Sequence, residues 1–225
     1  GYAILPFSTG KIPDPRWRLL DALLITEASY QHKTPAVEMS IREIYDQARV
    51  EDNLFAILIA GADLGNRAYL RGQLRQCEKI AYQVLQQAVK QAGHLPGPAS
   101  IALHLLSRVC LARNEVARAN QLLEQVQIVD PNPTSSNMPI NVFIMHAQLL
   151  SAEGRHAEAQ EAIQAARSLQ ALRPSAAWRD QDLAAYEARY CVRRGNRAAA
   201  HQLILEAESD GPHAFATLVR AELLL

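Results

Sequence analysis

Apolar residues recur along most of the chain with the 3.6-residue period of an α-helix, and short polar or proline-containing segments interrupt this pattern. The clearest interruptions are 94–98, 130–137, 173–175 and 210–212. Between them the pattern predicts helices over about 53–70, 73–92, 98–113, 116–129, 138–153, 156–171, 177–194 and 197–209. Three more helices are predicted over 15–31, 35–49 and 213–225, so the expected fold class is all-α.

Four short turns return at a nearly constant spacing, which indicates an internal repeat. Their central residues are Gly72, Asn114, Gly154 and Gly195, and the spacings are 42, 40 and 41 residues. Glycine and asparagine adopt a positive φ more easily than other residues do. Each turn is therefore predicted to end one helix and begin the next, inside an antiparallel helical hairpin.

Other positions agree between the four copies when the copies are aligned on these turns. The residues seven before and five after each turn are small: Gly65, Ser107, Ala147 and Ala188, then Cys77, Ala119, Ala159 and Ala200. The residues nine and twelve after each turn are apolar: Ala81, Leu123, Ile163 and Ile204, then Val84, Val126, Ala166 and Ala207. Small residues let two helices cross closely, and apolar residues three apart share one helix face.

The regular spacing predicts a single domain, 1–225, built as an α-solenoid of antiparallel helix pairs. Residues 53–212 supply four pairs, 15–52 a diverged N-terminal repeat, and 213–225 the first helix of a truncated next repeat. The chain begins with Gly1 and ends inside a helical pattern, so we expect it to be a piece of a longer protein. Apolar faces at such ends could let the piece self-associate.

Charge and composition narrow the function classes. The 23 Lys and Arg residues balance the 23 Asp and Glu residues, which argues against direct nucleic-acid binding. A local cluster of Arg189, Arg193, Arg194 and Arg197 keeps that class open. A hydrophobic content of 49% excludes a disordered chain, and the longest apolar runs are far too short for a membrane helix.

Motifs of enzyme and metal chemistry are missing from the sequence. Cys77, Cys110 and Cys191 are widely spaced and form no CxxC pair, so we expect buried packing cysteines in a reducing cytoplasm. The seven histidines are scattered over separate elements, and His156, at a turn, is expected to be a partly buried packing residue. No HExxH, GxSxG, GxGxxG or Walker A motif occurs. We therefore predict no catalytic residue, no metal and no cofactor.

The spacing of small, turn and apolar residues resembles the tetratricopeptide pattern, with a period of about 41 residues in place of 34, and this implies a right-handed superhelix. More specifically, the segments 71–74, 111–119, 153–159 and 194–200 resemble the helical-repeat sensor region of MalT-like transcriptional activators, which are LuxR-type regulators of the STAND class.

This resemblance implies a bacterial, cytoplasmic signal-input domain. Such a domain binds a small-molecule inducer or a regulatory protein, and it works with a nucleotide-binding module and a DNA-binding domain in the full-length regulator. The sequence has no Walker A motif and no basic recognition helix, so this piece is not expected to bind nucleotide or promoter DNA itself.

In tetratricopeptide-like stacks the first helix of each pair lines a concave groove, where these proteins bind their partners. The residues six before each turn are polar: Asn66, Arg108, Gln148 and Arg189. Neighbouring groove positions add Tyr69, His104, Asn141, Asp182, Tyr186 and Arg193. Arginine offers a planar donor fork to carboxylates or phosphates, and tyrosine offers a stacking face and a hydroxyl. We predict that these ten residues form the binding site, whereas Leu111, Ile144 and Met145 belong to the core.

Besides nucleic-acid binding through the arginine cluster, two alternatives remain open at this stage. The polar residues of the first helices could simply form a solvated helix face. The chain could also be a general tetratricopeptide adaptor that docks peptides or protein tails and has no small-molecule ligand. A nucleotide-binding module upstream in the full gene would distinguish the regulator from the adaptor.

Overall fold

The computed structural model describes residues 35–130, 138–172 and 177–208, with side chains described for 41–130, 139–172 and 183–208. The helices in these ranges are α1 (Pro35–Val50), α2 (Leu54–Leu70), α3 (Leu74–Ala92), α4 (Ser100–Ala112), α5 (Val116–Val129), α6 (Met138–Ala152), α7 (His156–Ala171), α8 (Ala177–Arg193) and α9 (Arg197–Ala207). A 3-10 turn, Gly97–Ala99, precedes α4. Each predicted helix in these ranges is confirmed to within two residues at either end. The helices predicted over 15–31 and 213–225 lie outside the described residues.

The helices pack in neighbouring pairs. Four hairpins follow α1: hairpin 1 (α2 and α3), hairpin 2 (α4 and α5), hairpin 3 (α6 and α7) and hairpin 4 (α8 and α9). Each helix contacts the next one along the chain, and the first helices of successive hairpins also contact one another, α2 with α4, α4 with α6 and α6 with α8. The described part of the chain is therefore all-α, as predicted, with no strand in it.

The turn inside each hairpin has the backbone that the repeat predicts. The central residues have positive φ, at 72° for Gly72, 63° for Asn114, 79° for Gly154 and 74° for Gly195. In the first turn, the amide of Gly72 donates to the carbonyl of Tyr69, and the amide of Gln73 donates to that of Ala68, both at 2.9 Å. The same two bonds occur in the other three turns. They satisfy carbonyls that the end of a helix would otherwise leave unpaired.

The small residues of the repeat hold the hairpins together. All eight are buried, and so are the eight apolar residues nine and twelve after the turns. Ser107 adds a polar link, because its hydroxyl donates to the carbonyl of Ala119 at 2.8 Å across hairpin 2. These contacts confirm that the aligned positions pack helix against helix. Cys77 and Cys110 are also buried as expected, whereas Cys191 is only half-buried, so the prediction for Cys191 is wrong in part.

One close helix contact lies outside the aligned positions. A Cβ atom at Gly61 in α2 would lie 2.9 Å from Cε2 of Tyr45 in α1, and it would overlap Val84 in α3. Only glycine lets α2 approach both neighbours at this point. None of the described helices combines the length and the apolar character that crossing a membrane requires.

Candidate functional site

The contacts between α2, α4, α6 and α8 bring the predicted groove positions next to one another. The first helix of each hairpin carries one predicted polar residue at the equivalent position, six residues before the central residue of the turn. These four residues, Asn66, Arg108, Gln148 and Arg189, are all half-buried. The four first helices therefore form three contacting pairs, and polar groups of neighbouring helices can interact along the row.

Arg108 lies at the centre of this row. Its Nη1 donates to Oδ1 of Asn66 on the neighbouring helix at 2.8 Å. Its guanidinium also stands over the ring of Tyr69, with 4.0 Å between Cζ and the ring centroid. A cation over a tyrosine face at this distance is stabilised by about 0.5–2 kcal/mol, depending on how dry the site is. Both contacts fix the direction of the guanidinium before any partner arrives.

His104 lies one helical turn before Arg108 and is 8% exposed. The pKa of His104 is lowered to about 3, mainly by burial and to a smaller extent by the positive charge of Arg108, while a hydrogen bond with the backbone of Asn141 acts in the opposite direction. The imidazole is therefore neutral near pH 7, with one nitrogen as a donor and the other as an acceptor. This state suits hydrogen bonding and packing between α4 and α6.

A small cleft lies among these side chains. Its walls are His104, Arg108, Asn141, Ile144, Met145, Gln148 and Tyr186. The cleft has a volume of about 10 Å³, which is room for one water molecule. Ile144 and Met145 are buried, in agreement with their predicted place in the core, and they also line the cleft. A sugar or a nucleotide does not fit this cleft in the described conformation.

Seven of the ten predicted site residues meet in this region: Asn66, Tyr69, His104, Arg108, Asn141, Gln148 and Tyr186. Arg189 is half-buried and Arg193 is exposed, and neither lines the cleft. Asp182 belongs to α8, but its side chain lies outside the described residues. We call these seven residues the groove cluster.

The sequence interpretation missed a buried ion pair close to the groove cluster. Asp63 is 4% exposed, and its Oδ2 accepts from Nε of Arg67 at 2.9 Å, one turn along α2. An acid four residues before a base on a helix is a visible signal. The pair was not recognised because it lies on an otherwise apolar helix, whereas such pairs are expected on solvated helix faces. Among the described residues, no group of three or more His, Cys, Asp or Glu side chains is placed to hold a metal ion.

The sequence interpretation also missed a larger cleft. Its walls are His156, Ala157, Gln160, Tyr190, Cys191, Arg194 and Asn196, from α7, α8 and the turn before α9. None of these residues belongs to the groove cluster.

Comparison of the chain with family models, with curated proteins and with solved structures finds no match. The inference of function therefore rests on the residues and contacts of this chain.

Proposed function

We propose that this chain is the signal-input domain of a LuxR-type, MalT-like bacterial regulator, built as a right-handed α-solenoid, and that it binds a regulatory protein in the groove lined by α2, α4, α6 and α8. The four recurring turns with positive φ and the row of contacting first helices support the solenoid. The turn segments that resemble MalT-like activators supply the regulatory part of the proposal. A cytoplasmic location belongs to the same proposal.

The arrangement around Arg108 is the observation that carries the binding role. A guanidinium held between Asn66 and Tyr69 is oriented in advance, so less side-chain entropy is lost when it meets a carboxylate. Arginine and tyrosine are also enriched among the residues that dominate binding energy at protein interfaces. A partner segment that places an acidic side chain over Arg108 would use both.

The size of the cleft favours a protein over a small inducer. A space of about 10 Å³ holds no sugar, nucleotide or organic acid. A protein segment needs no deep pocket, because it can lie along several helices and bury area over the whole row. To act as a signal, such a partner must bind one state of the full-length regulator more tightly than another, since equal affinity shifts no equilibrium.

The test selects peptides from a displayed random library against the purified chain. Acidic peptides are expected to be enriched, and Arg108→Lys should weaken them about tenfold, because lysine keeps the charge but loses the planar donor fork. Arg75→Lys on α3 is the matched control, since Arg75 is exposed on a second helix of a hairpin, and it should leave binding unchanged. Equal loss in both variants, or no selected peptide, would contradict the proposal.

A thermal-shift screen with sugars, organic acids, nucleotides and aromatic compounds tests the inducer alternative in parallel. A compound at about 100 times its Kd adds roughly 2.7 kcal/mol to the free energy of unfolding. A hit that Gln148→Ala abolishes would place an inducer in the groove and replace the protein partner. Reading the complete gene separates the regulator from a general adaptor, because only the regulator predicts an upstream nucleotide-binding module.

A further inference from the structure

Side-chain bridges join successive hairpins near their turns, and they use the same repeat positions at two junctions. Each bridge joins two positions counted from the central residues of the turns. One lies six residues after the centre of one turn, and the other lies one residue before the centre of the next turn. Between hairpins 1 and 2, Nη2 of Arg113 donates to Oε2 of Glu78 at 2.8 Å. Between hairpins 2 and 3, Nδ2 of Asn120 donates to Oε1 of Glu153 at 2.9 Å. Two different residue pairs thus make the same link at the same two repeat positions.

The junction between hairpins 3 and 4 lacks this bridge. The residues at the two bridging positions are Gln160 and Arg194, and no hydrogen bond or ion pair joins them. A cleft of about 480 Å³ opens between them. Within the described part of the chain, the side chain of Arg194 has neither an acidic partner nor a hydrogen bond, whereas its backbone amide donates to the carbonyls of Tyr190 and Cys191. We name this space the Arg194 cleft.

The walls of the Arg194 cleft combine polar donors with an apolar lining. The hydroxyl of Tyr190 donates to the carbonyl of His156 at 2.8 Å, which ties α8 to the start of α7 at one side of the cleft. Nδ1 of His156 is shielded from solvent and has no hydrogen-bond partner, and among the described residues it is the one buried side-chain nitrogen or oxygen left in that state. A buried nitrogen without a partner destabilises the folded chain at this wall of the cleft.

Among the described residues no acidic side chain lines the cleft, and two acids on the helices that form its walls are paired elsewhere. Glu158 is paired with Arg155, and Glu187 accepts from Nε of Arg167 at 2.5 Å. The guanidinium of Arg194 therefore remains the uncompensated charge of the cleft. An anionic group is the complement of this charge, and a carboxylate matches the planar donor fork of arginine with two parallel hydrogen bonds.

We propose that the Arg194 cleft is a second binding site, for a small organic carboxylate with an apolar body. Arg194 binds the carboxylate, the amide of Gln160 offers a further hydrogen bond, and Ala157, Tyr190 and Cys191 contact the apolar part. The volume lies in the range of about 300–1,000 Å³ that small-molecule sites occupy. This site goes beyond the proposed groove function, because it shares no residue with the groove cluster.

Cys191 provides a reporter inside the cleft. Cys77 and Cys110 are buried and Cys191 is half-buried, so an alkylating reagent should modify Cys191 first. Burial raises the pKa of the Cys191 thiol, with a smaller contribution from Glu187, so the reaction is run at about pH 8.5. Mass spectrometry of the three cysteine peptides then reports cleft access at Cys191, while Cys77 and Cys110 report any global unfolding.

The probes are butyrate, benzoate, phenylacetate and indole-3-acetate, each with its neutral amide, and inorganic phosphate. At a concentration of ten times Kd, a bound carboxylate should slow alkylation of Cys191 about tenfold, and the matching amide should not. Arg194→Gln should weaken binding at least about tenfold. Arg197→Gln, an exposed arginine outside the cleft wall, is the matched control and should bind as the unmodified chain does.

A second variant tests the cleft by closing it. Gln160→Glu places an acid opposite Arg194, as Glu78 stands opposite Arg113 in the first junction. It should abolish protection of Cys191 without unfolding the chain, which circular dichroism verifies. The two variants remove the site in different ways. Arg194→Gln removes the positive charge, and Gln160→Glu pairs that charge with a carboxylate of the chain itself.

Three outcomes would overturn the proposal. The first is that no probe protects Cys191. The second is that the amides and inorganic phosphate protect Cys191 as well as the carboxylates do. The third is that Arg194→Gln and Gln160→Glu leave the protection intact. A probe that binds without protecting Cys191, and whose binding Gln148→Ala abolishes, would lie in the groove and would replace the protein partner proposed there. Loss of peptide binding in the groove leaves the Cys191 result unaffected, so the two proposals fail separately.

Discussion

His104 should make the free energy of unfolding depend on pH. Burial, together with the charge of Arg108, lowers the pKa of this imidazole to about 3 in the folded chain, whereas an unfolded histidine titrates near 6.5. Between these two values the unfolded chain binds one more proton than the folded chain at this position. Its contribution to stability is therefore complete above about pH 6.5 and is lost as pH falls towards 3.

The size of the effect follows from the same two values. Lowering the pH from 7.5 to 5 protonates the unfolded imidazole and leaves the folded one neutral. The cost is about 1.5 pH units at 1.36 kcal/mol each, or roughly 2 kcal/mol. For a small domain this is a large part of the total stability. Arg108 is the charged group beside His104 on the same helix, and it reinforces the effect of burial.

Urea unfolding, followed by circular dichroism at pH 7.5, 6 and 5, measures this difference. The unmodified chain should lose about 2 kcal/mol more than His104→Gln over this range, because glutamine does not titrate. His146→Gln is the matched control, since His146 is exposed on α6, and its slope should equal that of the unmodified chain. Parallel pH profiles for the unmodified chain and His104→Gln would refute the reasoning.

Three further predictions concern packing and charge, and chemical denaturation measures all of them. Gly61→Ala should lower the free energy of unfolding by about 1–3 kcal/mol, because the new methyl group meets Tyr45 at 2.9 Å. Ser107→Ala should cost about 1 kcal/mol, because it removes a fully buried hydrogen bond between the two helices of hairpin 2. A double-mutant cycle of Arg167→Gln and Glu187→Gln should give a coupling of about 1 kcal/mol at low salt, discounted for the partial exposure of Arg167, and the coupling should shrink in 1 M NaCl.

Each of these measurements has an internal comparison. Gly97→Ala should be near neutral, because its Cβ would meet Asp130 only at ordinary contact distance, 3.7 Å. Equal costs at Gly61 and Gly97 would contradict the close approach of α1, α2 and α3. If Ser107→Ala costs nothing, the hydroxyl does not link the helices. A coupling of Arg167 with Glu187 that is independent of salt would contradict an electrostatic origin.

The helices and turns could be predicted from sequence because their causes are local and repeated. A residue such as Asn114 stands where a positive φ is needed, and the other three copies carry glycine at the same position. The small residues at Ser107 and Ala119 mark a helix crossing in the same way, and both are fully buried. Four independent copies make chance agreement implausible.

The contacts of the site could be predicted only in part. The alignment indicated that Asn66 and Arg108 occupy equivalent groove positions, but the bond between them depends on how far hairpin 2 is displaced along hairpin 1. The volume of the cleft depends on how Ile144 and Met145 pack at its wall, which is a property of the packed state. The open junction at Arg194 becomes visible only after the bridges of the other junctions are known.

The neighbour-to-neighbour packing of the helices has a mechanical consequence. Contacts run from each helix to the next, and from each first helix to the next first helix. Tension applied at the two ends of such an array passes through every hairpin junction in series, so the weakest junction gives way first. We expect stretching to release the chain in steps of one hairpin, about 41 residues each, starting where the bridge between hairpins is missing.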